Sequence, residues 1–212
     1  MGGPKGPIAR GNAGRGPAPA GGSKRARYVR RRAGWPGWLW VPVGAAVVAG
    51  IVALVVHGTR LPAGTQTFPE TDHHHVTGNV QYDRTPPAGG AHSAVWQNCG
   101  IYDQPVSDPA AVHSMEHGAV WVTYQPALPV SEVMALRNLV QSKYHGSQRY
   151  VLLSPYPGDP APIVASAWGA QLRLNSPSDP RQAQFLGHFA GGGQGGEPGA
   201  PCTNDTGAPP VP

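Results

Sequence analysis

Histidine carries the clearest chemical signal in this sequence. Of nine histidines, eight follow residue 57, and six of those crowd between residues 73 and 117: His73, His74, His75, His92, His113 and His117. The densest stretch is His113-Ser114-Met115-Glu116-His117-Gly118. In an extended backbone, side chains alternate, so His113, Met115 and His117 share one face and Glu116 takes the other. In a helix, His113 and His117 still share a face, at i and i+4, with Glu116 close by. Either geometry pairs two imidazoles, and the extended one adds a thioether. Imidazole with thioether suits copper, whereas imidazole with carboxylate suits zinc or iron. The β-rich run that begins at Ala119 favours an extended or turning backbone here, and with it the softer metal. His92, after the loop Pro86-Pro87-Ala88-Gly89-Gly90-Ala91, can supply a third imidazole. The expected ligand set is therefore His92, His113 and His117 with Glu116 and Met115, for copper first and zinc as the alternative. A bland reading competes with it, in which the same residues form a structural polar network and Glu116 accepts a hydrogen bond from an imidazole. The His73–His75 triplet adjoins a linker and says little on its own.

Other chemistry is poorly represented. The chain has no H-E-x-x-H and no G-x-S-x-G motif. No residue is assigned a catalytic role, and no organic cofactor site is read. Two cysteines are too few for a four-thiolate zinc site or a disulfide framework. In an oxidising compartment Cys99 and Cys202 are expected to pair, which would hold the C-terminal segment near the His-rich stretch. The competing view leaves both thiols free, with Cys99 as a soft copper ligand.

The elements that must position these residues follow from composition and patterning. The 30 glycines and 25 prolines make up about a quarter of the 212 residues, which argues against one continuous globule. Nine of the 16 basic residues precede residue 34, where no acidic residue occurs, and from Arg60 onward seven basic residues face all eleven acidic ones. The overall charge of +5 thus belongs to an N-terminal tail. That tail has only Tyr28 as an aromatic residue, so nucleic acid is not an expected partner. Residues 34–56 carry no charge, and at about 1.5 Å per residue they reach across the roughly 30 Å core of a bilayer. Arg30, Arg31 and Arg32 on the N-terminal flank place that side in the cytoplasm and send the rest of the chain across. The expected organisation is a disordered basic tail (1–33), a transmembrane helix (34–57), a stalk (58–72), a compact extracytoplasmic α+β domain (73–190) and a Gly/Pro-rich tail (191–212). The lipid bilayer is the first expected partner, at the cytoplasmic membrane.

Within the domain, Ala119–Tyr124, Tyr150–Leu153 and Ile163–Trp168 read as strands. Ser131 reads as the cap of a helix carrying Val133, Leu136, Val140 and Tyr144 at helical spacing, and Gly146 ends it. Asp179-Pro180 opens a last helix with Phe185, Leu186 and Phe189, closed by Gly191. Strands and helices mix without a regular βαβ rhythm, hence α+β.

Three blocks carry a resemblance: Tyr82-x4-Pro87-x2-Gly90-x-His92, Trp96-x2-Cys99-Gly100-x-Tyr102, and Val112-His113-Ser114-Met115-Glu116-His117-Gly118-Ala119-Val120. With Ala167-Trp168-Gly169 and the Phe185/Phe189 helix, they make residues 60–203 resemble the bacterial domain-of-unknown-function family 3105. The resemblance implies a membrane-anchored protein with copper-handling partners in the envelope, and implies no activity. Relatives often carry Leu where this chain has Met115, which shifts weight to His113, Glu116 and His117. The expected function is binding or delivery of a transition metal outside the cytoplasm. The alternatives are an accessory module of an envelope complex whose histidines are structural, and a metal-dependent enzyme with Glu116 as general base.

Overall fold

The computed structural model describes residues 36, 40–144, 149–197 and 199–207, without the side chains of 53–59. The expected basic tail 1–33 lies outside the described residues. A helix, α1 (Trp40–Thr59), falls within the uncharged stretch and just beyond it. Its described side chains are apolar and exposed, Val41, Val43, Val47, Val48, Ile51 and Val52 among them. Among the described residues no helix is long and apolar enough to cross a membrane.

The domain that follows is built on a six-stranded sheet. In chain order its elements are β1 (Gln66–Thr67), β2 (Gly100–Ile101), α2 (Asp108–Glu116), β3 (Val120–Tyr124), α3 (Val130–Gln141), β4 (Val151–Pro155), β5 (Ile163–Ala167), β6 (Ala170–Leu174) and α4 (Pro180–Phe189). The strands lie in the order β1-β6-β5-β3-β4-β2. β2, β4 and β3 run parallel, while β3–β5, β5–β6 and β6–β1 are antiparallel. The α+β expectation holds. Parallel pairing of β3 with β4 requires a crossover, and α3 is that crossover.

Period-two alternation sends the strand side chains to two cores. Val120, Val122 and Tyr124 join Val151, Leu153, Ile163, Ala165 and Leu172 on one face, where α3 contributes Leu136 and Val140 and α4 contributes Phe185, Leu186 and Phe189. Trp121 and Leu152 point to the other face and meet Ala111, Val112 and Met115 of α2, with Tyr102 and Trp168. A strand buried on both faces reads as a near-continuous apolar run, which is why Val120–Val122 and Val151–Leu153 mark β3 and β4 in the sequence. α2 is thus the helix on the second face, and it is the element that carries His113 and Glu116.

Two local expectations are corrected. The His113–His117 stretch is not extended: it is the end of α2 and the residue that caps it. Pro109 in the first turn, Asp108 at the positive end of the helix dipole, and Ala110-Ala111 all favour helix there. Gly118 then ends it, at φ +100°, and turns the chain into β3. A Cβ at Gly118 would lie 2.7 Å from the Gly192 carbonyl oxygen, so close approach as well as backbone angle demands glycine. α3 begins one residue before Ser131, with Pro129 at the cap position and no side-chain cap bond.

The segments flanking the domain also join it. β1 lies in the expected stalk and pairs with β6. Cys202, in the expected tail, is disulfide-bonded to Cys99 across a separation of 103 residues. The tail is laid along α2 and β2: the Gly191 N–H donates to the Gly118 carbonyl at 2.9 Å, and the Cys99 N–H donates to the Cys202 carbonyl at 2.7 Å.

Candidate metal centre

α2 presents His113 and Glu116 on one face, and the helical turn carries His117 onto the same side. His92 reaches them from the loop before α2, through a two-residue bridge. The His92 N–H donates to the His74 carbonyl at 3.0 Å and the Val76 N–H donates to the His92 carbonyl at 2.7 Å. That pairing is extended, so alternation separates the triplet. His73 and His75 turn inward, while His74 stays exposed beside Asp72, at 2.7 Å.

His92, His113, Glu116 and His117 are all buried, none more than 3% exposed. Burying four ionisable groups together is costly unless each is paired or neutral. The hydrogen bonds show how this is met. His92 Nδ1 lies 2.7 Å from the Gly90 carbonyl, His113 Nδ1 lies 2.6 Å from the Ser93 carbonyl, and His117 Nδ1 lies 2.6 Å from the Pro201 carbonyl. A carbonyl only accepts, so each Nδ1 carries its proton and donates. In a neutral ring that leaves every Nε2 with a lone pair. Metal-ligating histidines are commonly oriented this way, with the second ring nitrogen donating to a backbone carbonyl.

Glu116 sits at the convergence. Its Oε1 is 2.5 Å from His73 Nδ1, and its Oε2 is 2.8 Å from His92 Nε2 and 3.9 Å from His75 Nε2. Burial pushes this carboxyl up, but the hydrogen bond from His73 and the charge and hydrogen bond of His92 outweigh it, so its pKa lies below the ordinary value. The His113 imidazole is pushed down to about 4. Burial is the main cause, with His117, His92 and His75 adding repulsion and the Ser93 carbonyl opposing. Near neutral pH His113 is an uncharged ring with an available lone pair. His92 Nε2 faces a carboxylate oxygen with its other nitrogen already committed. Such a contact repels unless a cation, a proton or a metal ion, sits with both atoms.

Two groups of donor atoms lie within 4.8 Å of one another. The first is His75, His92, His113 and Glu116, and the second is His113, His117 and Glu197. Metal–nitrogen and metal–oxygen bonds of about 2.0–2.2 Å place neighbouring donors roughly 3.3 Å apart in a tetrahedron, so modest side-chain closure suffices. Indole rings wall the cluster. Trp168 stacks on His73 at 4.6 Å, and Trp96 lies against His117 at 4.9 Å.

Of the five ligands expected from the sequence, His92, His113 and Glu116 fall in the first group, while His117 falls in the second and meets them only through His113. Met115 joins neither group: helical geometry turns it into the core with Trp121 and Leu152, and it is fully buried there. Cys99 is unavailable as a thiolate because it is disulfide-bonded. The sequence reading undervalued His75 and missed Glu197. His75 was detectable, since an extended triplet must turn its two outer members to one side. Glu197 was not: the expected Cys99–Cys202 pairing brings its segment near the His-rich stretch, but which residue of that segment meets His117 depends on the local backbone path, including the Glu197 N–H bond to the Glu116 carbonyl.

No curated protein and no solved structure matches the chain. Its sequence pattern from residue 73 to 204, which holds the whole His/Glu cluster and both cysteines, matches the family described as protein of unknown function DUF3105, and the chain belongs to that family.

Proposed function

We propose that this protein binds a transition metal ion in the His75–His92–His113–Glu116 cluster and serves to hold or deliver it outside the cytoplasm. The carrying observation is the gathering of imidazoles around the buried Glu116 carboxylate, with the His92 and His113 rings buried and each locked by an Nδ1–H donated to a backbone carbonyl, and the half-exposed His75 completing the set. With Met115 in the core and both cysteines bonded, the donors are nitrogen and oxygen only. That set suits a divalent ion, Cu2+ ahead of Zn2+ in intrinsic affinity, and gives no preference for Cu(I). A hydrolytic role for Glu116 has less support, since His73 and His92 occupy both of its oxygens. The same two contacts favour a second reading, a metal-free structural network in an accessory module of an envelope complex.

Full-length protein purified in detergent without an affinity His-tag, loaded with Cu2+ or Zn2+ and dialysed against a weak chelator, is expected to retain one ion per chain. His113→Ala is expected to lower that to below about a tenth, with an unchanged far-UV circular dichroism spectrum. Wild-type protein without metal, or a folded variant that keeps its metal, would favour the structural network.

A membrane location supports delivery, and the uncharged stretch with the exposed apolar side chains of α1 supports that location. A reporter active only outside the cytoplasm, fused after Pro212, is expected to be active. Activity of a cytoplasm-only reporter at that position excludes this orientation.

A further inference from the structure

The second donor group shares His113 with the first but takes its other members from a different part of the chain. His117 Nε2 is 3.3 Å from Glu197 Oε2, and the Glu197 side chain is 53% exposed while that of His117 is 2% exposed. The carbonyl that orients His117 belongs to Pro201, next to the disulfide-bonded Cys202. Glu197 is itself placed by its N–H, which donates to the Glu116 carbonyl at 3.4 Å. The covalent link thus adjoins the carbonyl that orients His117, and a backbone hydrogen bond to α2 sets the reach of Glu197.

We propose that His113, His117 and Glu197 form a second, solvent-facing metal position, held in place by the Cys99–Cys202 link, through which an ion enters and leaves the buried cluster. The inference rests on the metal-binding reading above. His113 Nδ1 is committed to Ser93, so His113 offers only Nε2, and one lone pair serves one ion at a time. The two positions are mutually exclusive: a single ion is bound in one or the other, with His113 as the shared ligand. Moving outward exchanges His75, His92 and Glu116 for His117 and Glu197, without releasing the ion to water in between.

At the opposite end His73 and His75 are also partly exposed, with side chains at 39% and 44%, but their contacts hold them in place. His75 stacks on His113 at 4.8 Å, and His73 is pinned between Glu116 and the Trp168 ring. Glu197, by contrast, makes a single side-chain ion pair and is mostly in water. A carboxylate at the mouth also lowers the cost of bringing a hydrated cation toward buried imidazoles.

Glu197→Gln in the full-length protein tests this, because the residue is exposed and the change is nearly isosteric. Loaded with one equivalent of Co2+, the variant is expected to show the wild-type visible absorption spectrum, since the ion rests in the buried position. Release of Zn2+ to a chromophoric chelator is expected to slow at least tenfold. Release at the wild-type rate overturns the second position while leaving the buried one intact. Loss of the Co2+ spectrum in the variant also overturns it, by making Glu197 part of the resting site. A wild-type chain that takes up neither ion overturns both readings together.

Discussion

Replacing Cys99 and Cys202 together by alanine is expected to lower the stability of the domain by about 4–5 kcal/mol. The link closes a loop of 103 residues, and the entropy that such a loop removes from the unfolded chain has about that size. Few contacts stand ready to compensate. The cluster around the link consists of Cys99, Ala119 and Cys202, with Tyr150 packed against it, so little apolar area holds the C-terminal segment without the bond. The remaining ties are hydrogen bonds, such as Tyr150 O–H to the Ala200 carbonyl at 3.0 Å and the Asn98 amide to the Gly207 carbonyl at 2.6 Å. Each contributes about 1 kcal/mol net at most places in a protein, and less where water competes. A domain of this size has roughly 5–15 kcal/mol in total, so the loss is a large share. Urea denaturation of wild-type and double-variant protein, and of wild type with and without reductant, measures it. A difference below about 1 kcal/mol would show that the segment is held by its non-covalent contacts.

The parts of the fold visible in the sequence were those in which one strong local pattern agreed with the tertiary environment. β3 and β4 are mostly apolar because both faces are covered, with only Thr123 and Ser154 as buried polar members, and α4 opens on Asp179-Pro180, whose carboxylate accepts the Arg181 N–H as a cap should. α2 has a similar opening in Ser107-Asp108-Pro109, yet its sequence misled. Its buried face holds histidines and a glutamate where an ordinary amphipathic helix would hold leucines, so the apolar period was weak. The pattern failed at the site because the site needs polar residues facing inward. β6 was hidden for another reason: it follows β5 after a two-residue turn, Trp168-Gly169, and Gln171 and Arg173 break its apolar run. Gln171 is nonetheless buried, satisfied by the Pro86 carbonyl at 3.0 Å and the Ser166 hydroxyl at 3.1 Å. Pairing of His75 with His92, and of Glu197 with His117, is long-range in sequence, and no local rule reaches it.

Asp159→Asn is expected to stabilise the protein at pH 8 by roughly 2–4 kcal/mol and to leave it nearly unchanged at pH 4. Asp159 is 5% exposed and far in sequence from the histidines. Its Oδ1 accepts from the Thr123 hydroxyl at 3.1 Å, while Oδ2 is buried with no partner among the described residues. Burial pushes this carboxyl up to about 7, with the Thr123 hydrogen bond opposing only in part. In the unfolded chain the group titrates near its ordinary value of 3.8. Between those values the folded protein keeps a proton that the unfolded protein has lost, so unfolding releases one. Stability attributable to this side chain therefore falls as pH rises from about 4 to about 7, at up to about 1.4 kcal/mol per unit, and is level above that. Full charge in the folded state is the destabilised condition, and the neutral amide avoids it. Tyr156, a neighbouring titratable group, does not offset this. Its phenol is pushed up by burial, by Asp108 and by Asp159, so it stays protonated across the range. Charges at the His/Glu cluster are common to both proteins and cancel in the difference. Urea denaturation of the two proteins at pH 4, 6 and 8 decides the matter, and parallel stability curves would show that Asp159 titrates normally in the folded protein.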